Sequence, residues 1–188
     1  MLNKEEDTME YPERWGIDRV NQRDLPLDGD TTYSGNGAGV NVYVIDTGIN
    51  VGIVDFGGRA SWGANFVGDG IDNDCNGHGT HVAGTIGSNT YGIATNVNLV
   101  AVKVFGCSGG STFSTIISAV EWSTTNCLAS GKRCIINMSL GGGVSIALNA
   151  AVAASVSAGV HNIVAAGNEN SDSCTKSPAS APNAITVA

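Results

Sequence analysis

The sequence predicts an α/β fold with a doubly wound, mostly parallel sheet and helices on both faces. Three observations carry that expectation. Short β-branched and aliphatic runs alternate along the chain with segments of helical periodicity. The strand runs are apolar almost throughout, as in strands buried on both faces. Each helical segment lies between successive runs, which requires right-handed crossovers.

Residues 1–10 are polar and read as a disordered N-terminal extension. Residues 11–188 read as part of one domain, without an internal repeat or interdomain linker. Trp15, Ile17, Val20 and Leu25 give Tyr11 to Leu27 the spacing of a short helix followed by a loop. Gly35-Asn36-Gly37-Ala38-Gly39 then leads into a strand, Val40 to Ile45, that ends at Asp46-Thr47-Gly48. A dinucleotide fingerprint would follow a strand and open a helix, whereas these glycines precede the strand. Further strands are expected at Asn98 to Phe105, Cys134 to Leu140, Asn162 to Ala166 and Ala184 to Ala188. Helices are expected at Gly79 to Gly87, Ser111 to Thr125 and Ser145 to Ala158. In such a sheet the active site lies beyond the carboxyl ends of the strands.

Composition excludes several function classes. The chain has 188 residues, enough to bury a substantial core, and 42% of them are hydrophobic, which is incompatible with disorder. Its 26 glycines follow no three-residue period, which rules out collagen. Nine Lys and Arg against 17 Asp and Glu give a net charge of -8, so a nucleic-acid partner is not expected. The longest apolar run, Ile146 to Val156, is broken by Asn149 and Ser155 and falls short of the ~18 residues of a membrane span. No membrane partner is expected either. The N-terminus has no apolar core of a secretory signal.

Two segments carry chemistry. Asp46 closes the first strand, where its carboxylate enters the crevice at the strand ends or initiates the turn. In Asn76-Gly77-His78-Gly79-Thr80-His81-Val82-Ala83-Gly84 the small residues let a helix begin close to the sheet, with His78 at its start. A neutral imidazole there can act as a base, and a buried carboxylate such as Asp46 would hold its tautomer and stabilise the imidazolium. His81, three residues on, reads as a packing residue, and the pair lacks the His-Glu-x-x-His spacing of a zinc peptidase. Asp18, Asn21 and Gln22 share one helix face, and Asp28 and Asp30 follow in the next loop. These oxygens suit Ca²⁺, and equally suit helix capping and solvated charge. Asp69, Asp72 and Asp74 form a second, weaker cation candidate. Five cysteines leave an odd one, and none forms a Cys-x-x-Cys pair.

Asp46-Thr47-Gly48, His78-Gly79-Thr80-His81-Val82-Ala83-Gly84, Ser139-Leu140-Gly141-Gly142 and Ala165-Ala166-Gly167-Asn168 occur in the order and spacing of the subtilisin-like serine peptidases. Trp15-Gly16-Ile17-Asp18-Arg19, Gly57-Gly58-Arg59-Ala60 and Ser177-Pro178-Ala179-Ser180 most resemble the proteinase K and aqualysin branch. The resemblance implies an endopeptidase that hydrolyses polypeptides through an Asp-His-Ser triad and an acyl-enzyme, with no organic cofactor. It gives Asp46 the role of orienting carboxylate, His78 that of general base and acid, and Asn168 that of oxyanion donor. Ser139, Leu140, Gly141 and Gly142 with Ala165 and Gly167 would line the pocket for the side chain before the cut bond. Gly109, Gly110 and Ser111 would form the other edge, on which an extended substrate adds as a strand. Their Gly-Ser order at 110–111 departs from the Ser-Gly usual in this branch.

The same resemblance implies a disulfide Cys75–Cys107, a calcium site at Asp18, Asn21, Gln22, Asp28 and Asp30 and a prosegment inhibitor outside this chain; Cys127 with Cys134 could close a small loop before the strand that starts at Cys134, the disulfides point to secretion, and a monomer is expected. The family's Gly-Thr-Ser-Met-Ala motif is absent. Its serine is expected near position ~235, so the chain reads as the fold truncated at its C-terminus, inert as a triad enzyme by itself. The alternative is a catalytically dead, peptide-binding pseudo-peptidase.

Overall fold

The computed structural model describes residues 15–188, so the expected disorder of residues 1–10 lies outside the described residues. The chain divides into two compact units, residues 1–35 and 36–188. In the first, a two-turn helix, α1 (Trp15–Asn21), is followed by a loop. The spacing that pointed to a helix does not mark a buried face: Ile17 is buried, whereas Trp15, Val20 and Leu25 are exposed.

The second unit begins with β1 (Val40–Asp46), then β2 (Ala60–Asn65), α2 (His78–Gly87), β3 (Asn98–Lys103), α3 (Phe113–Ser130) and β4 (Arg133–Met138). It continues through β5 (Gly142–Gly143), α4 (Ile146–Ser157), β6 (His161–Ala165), β7 (Lys176–Ser177) and β8 (Ile185–Val187). Six strands form one sheet in the order β2-β3-β1-β4-β6-β8, with β5 and β7 in a separate ribbon. All pairings in the large sheet are parallel. The fold class read from the sequence is the one observed.

Period-two alternation on β1 sorts its side chains between two cores. Tyr43 and Ile45 join the face covered by α3 and α4, with Ile116, Val120, Ile136, Leu148 and Val152. Val42 and Val44 face the other way, with Ile49, Phe56, Ala83 and Leu99 around α2. β1 lies between β3 on one side and β4 on the other, so strand order reverses at β1. In parallel sheets of this kind ligands bind at that point beyond the strand ends, and Asp46 is the last residue of β1.

β2 has no signal in the sequence, because Ala-Ser-Trp-Gly-Ala-Asn is poor in β-branched residues. Packing makes it a strand: a Cβ at Gly63 would lie 2.6 Å from Val100 and 2.9 Å from Trp122, so only glycine lets this edge close on β3. α3 runs five residues past the expected Thr125. Asn126 there accepts a 2.8 Å bond from the Tyr43 hydroxyl, Cys127 is buried, and Gly131 ends the helix at φ 65°. No helix among the described residues is long and apolar enough to cross a membrane.

Candidate active site

Burial of Asp46 follows from its place at the end of the central strand, with only 1% of its side chain exposed. Its Oδ1 accepts the Thr47 amide at 2.7 Å and faces His78 Nδ1 at 2.8 Å. Burial raises the Asp46 carboxyl above its ordinary value, while the bonds from His78 and Thr47 pull against that rise. The His78 side chain is 54% exposed. Because the carboxylate can only accept, a neutral imidazole facing it would carry its proton on Nδ1 and leave the Nε2 lone pair free.

Asp74 fixes the start of α2. The helix opens after Gly77, at φ 100°, with no cap from that residue's side chain. The Asp74 carboxylate supplies the acceptors instead: Oδ1 takes the Asn76 and Gly77 amides at 3.0 and 2.8 Å, and Oδ2 takes the Thr80 amide at 2.9 Å and its hydroxyl at 2.6 Å. The Thr47 hydroxyl also donates to Asp74 at 2.9 Å and accepts the Gly79 amide at 2.9 Å. One carboxylate thus ties the residue after Asp46 to both neighbours of His78. Partial burial pushes the Asp74 carboxyl upward, but the Thr80 hydroxyl and the Gly77 and Thr80 amides outweigh it and hold it below the usual value. The approach leaves no room for a side chain at position 79, where a Cβ would lie 2.2 Å from the Gly48 carbonyl.

Lys103, fully buried at the end of β3, is paired in register with Asp46. Its ammonium donates to the carbonyls of Thr47 at 3.0 Å and Asn73 at 3.2 Å. The Cys75–Cys107 disulfide and a 3.0 Å bond from Asn76 to the Cys107 carbonyl then join the loop before His78 to the one before Gly109. Cys127 is joined to Cys134, and Cys174 is a free, exposed thiol.

Two cavities flank the proposed substrate edges. Gly110 and Ser111 share one of about 580 Å³ with Leu140, Gly141 and Gly142. Gly109 lies outside its lining, in a turn at φ 76°. A second, of about 180 Å³, is lined by Ser139 to Gly142 and Ala165 to Asn168, together with Glu169 and Lys176. The structure therefore brings the two sequence-predicted segments, from the ends of β4 and β6, around one pocket.

Three expectations need correction or restriction. His81 is exposed rather than packed, because α2 turns Gly79, Ala83 and Gly87 inward. Asp69, Asp72 and Asp74 do not form a cation site: Asp69 and Asp72 accept from Asn65, and Asp74 is spent on the helix start. No group of three or more His, Cys, Asp or Glu among the described residues is arranged to hold a metal. In residues 15–35, the Asn21 amide bonds the Asp30 carbonyl, the Gln22 side chain bonds Pro26 and Asp28, and Asp28 accepts the Asp30 amide. Asp18 is buried, and its Oδ2 accepts the Gly29 amide at 2.9 Å. Its Oδ1 is buried with no partner among the described residues.

Residues 37–188 match the Subtilase family, Peptidase_S8. The chain is 52% identical over 174 residues to Alkaline serine exoprotease A of Vibrio alginolyticus, covering 92% of this chain and 32% of that protein. It is 50% identical over 180 residues to the Extracellular serine proteinase of Thermus sp. (strain Rt41A), covering 95% and 43%. The crystal structure of a cold adapted subtilisin-like serine proteinase superposes with a TM-score of 0.85 at 49% identity, covering 92% of this chain and 62% of that one. Sphericase gives a TM-score of 0.79 at 33% identity, over 93% of this chain and 59% of that one. The chain spans about a third to a half of these two curated relatives. From strand order to family match, these findings place the chain in the subtilisin-like serine peptidase family.

Proposed function

We propose that the chain supplies the base, its orienting carboxylate and an oxyanion donor of a secreted serine endopeptidase acting on polypeptides. The observation that carries this reading is the 2.8 Å contact between buried Asp46, at the end of β1, and the exposed His78 ring. A neutral Nε2 can take the proton of an attacking serine hydroxyl and return it to the leaving amine, while Asp46 stabilises the imidazolium between those steps. Asn168, after β6, would donate its side-chain amide to the tetrahedral oxyanion. The edges at Gly109 to Ser111 and Ser139 to Gly142 would hold the substrate backbone as an added strand. Ala165 and Gly167 would face the side chain before the cut bond. Residues 11–188 form only part of the catalytic domain in this reading, and the serine comes from sequence beyond Ala188.

Two disulfides suit an oxidising compartment, and one relative carries the word extracellular in its name, which supports secretion. No organic cofactor is needed. In the protein carrying this chain, cleavage of peptide p-nitroanilides is expected, with His78→Ala lowering kcat ~10⁶-fold, the order known for subtilisin. Unchanged turnover in His78→Ala, or no cleavage by the wild type, would remove the peptidase reading.

The buried, unpartnered Oδ1 of Asp18 fits a structural calcium ion. Asp18, Asn21, Gln22, Asp28 and Asp30 are not drawn together into a metal-holding group here and would have to close their oxygens on the ion, which would neutralise the acidic loop without joining the chemistry. Ca²⁺ at ~100 times its Kd is expected to raise Tm by about 5–10 °C. EGTA should reverse that rise, and Asp18→Asn should abolish it. Equal melting with Ca²⁺ and with EGTA would contradict the assignment.

A further inference from the structure

Asp46 and His78 come from different loops, and those loops meet away from the pair itself. Thr47 follows Asp46 at the end of β1, and Asn73 precedes Asp74 in the loop that leads into α2. The contact is close: a Cβ at Gly48, which sits at φ 110°, would lie 3.2 Å from the Asn73 carbonyl oxygen. The carbonyls of Thr47 and Asn73 converge on one atom, Lys103 Nζ, at 3.0 and 3.2 Å. Their negative ends repel unless a cation stands between them.

Lys103 is costly to place there. Its side chain has no exposed surface, and a buried ammonium is stable only with its donors paired. Two of its three donors go to the carbonyls, and the third faces Cys75 Sγ at 3.7 Å and the Asp69 carboxylate at 3.8 Å. Registered partners on neighbouring parallel strands project from the same face, so Lys103 extends alongside Asp46. The next residue reinforces the junction, the Val104 amide donating to the Asp46 carbonyl at 2.9 Å. Thr47 is therefore held at both ends, its amide by Asp46 Oδ1 at 2.7 Å and its carbonyl by Lys103.

We propose that Lys103 is a positioning residue for the base: its ammonium clamps the turn after Asp46 to the loop before His78 and so sets the Asp46–His78 contact. The inference rests on the peptidase reading above and deepens it by naming what holds that contact. Lys103 acts through two backbone oxygens and takes no part in the proton transfer. With a neutral side chain of similar length the two carbonyls face each other unscreened, the loops part, and the imidazole leaves the carboxylate.

The test compares the protein carrying this chain as wild type, Lys103→Met, Lys103→Gln and Asp69→Asn, well below every melting midpoint. Lys103→Met keeps the apolar stem and removes the ammonium. It should lower kcat per folded molecule ~100-fold on peptide p-nitroanilides, the cost of a misplaced catalytic group, with KM within ~3-fold of wild type. Lys103→Gln, whose shorter amide can still donate to one carbonyl, should recover ~10-fold of that loss. Asp69→Asn removes only the longer ion pair and should keep kcat within ~2-fold of wild type, even where Tm falls. Proton NMR gives a reading independent of turnover. The low-field resonance of the His78 Nδ1 proton in the wild type should weaken and move upfield in Lys103→Met, and return in part in Lys103→Gln.

A lower Tm in Lys103→Met, with kcat per folded molecule and the proton resonance unchanged, would overturn the clamp and leave the lysine a structural residue. Asp69→Asn reproducing the Lys103→Met loss would overturn it too, because the ion pair would then be what matters. Failure of both Lys103 variants to fold would do the same, since the lysine would serve the fold as a whole. The reading beneath is separable: a wild type that shows the Nδ1 resonance and its response to Lys103→Met, yet hydrolyses no peptide, would overturn the peptidase reading and support the clamp.

Discussion

Asp46→Asn is expected to lower kcat for peptide hydrolysis by about 10⁴-fold while leaving the fold intact. The order of magnitude is the one known for the triad aspartate in chymotrypsin-type and subtilisin-type enzymes. Its cause here is the 2.8 Å contact to His78 Nδ1. A carboxylate can only accept, so it keeps the proton on Nδ1 and the lone pair on Nε2. An asparagine turned to offer its amide reverses that choice, placing the proton where the serine must deliver its own. Stability should change by no more than about 1 kcal/mol, because a neutral amide avoids the burial cost of the charged carboxylate while the Thr47 amide, bonded to the same Oδ1, loses its acceptor. Steady-state kinetics and a thermal melt on the same sample check both halves, and turnover within tenfold of wild type would contradict the assigned role.

Asp74→Ala is expected to cost about 2–4 kcal/mol, a fall in Tm of about 5–15 °C, and to lower kcat about 100-fold. Five donors lose their acceptor at once: the amides of Asn76, Gly77 and Thr80 and the hydroxyls of Thr80 and Thr47. Water can replace it at the exposed Asn76 and Gly77 but less well at Thr80 and Thr47, which are more buried. The α2 start then loosens and carries His78 off Asp46. Asp74→Asn should recover part of both losses, since its carbonyl can still accept at one of the two positions.

The pH dependence has a definite sign. A carboxyl held below its unfolded value binds fewer protons folded than unfolded, so its contribution is present above pH ~4 and is lost as pH falls through the lower folded value. The Tm gap between wild type and Asp74→Asn should narrow below pH ~4, and a gap that widened there would contradict the account.

The central strands were legible because a strand buried on both faces must be apolar throughout, and Val40 to Ile45 and Asn98 to Phe105 are nearly so. The helices were legible from their spacing and small residues. β2 was not, since Gly63 and its neighbours become a strand only through fit against Val100 and Trp122. In the site, the short motifs pointed to Asp46, His78 and the pocket edges, which the fold gathers beyond the strand ends. Asp74 was misread as a cation ligand because an acidic residue in a loop looks alike whether it binds calcium or caps a helix. Its position three residues before Gly77, whose own side chain cannot cap, was the signal that separates the two. Lys103 follows four apolar residues, 99–102, at the end of β3, a hint that a buried ammonium needs carbonyl partners. Glu169 and Lys176 meet only because β7 folds back on β5, which no local pattern reveals.

The most direct measurement is the nitrogen-15 resonance pattern of the His78 imidazole by NMR, in the protein carrying this chain near neutral pH. The account predicts that the neutral ring bears its proton on Nδ1 with Nε2 bare, and that Asp46→Asn transfers the proton to Nε2. A wild-type ring protonated on Nε2, or a pattern indifferent to Asp46→Asn, would contradict the pairing on which the peptidase reading depends.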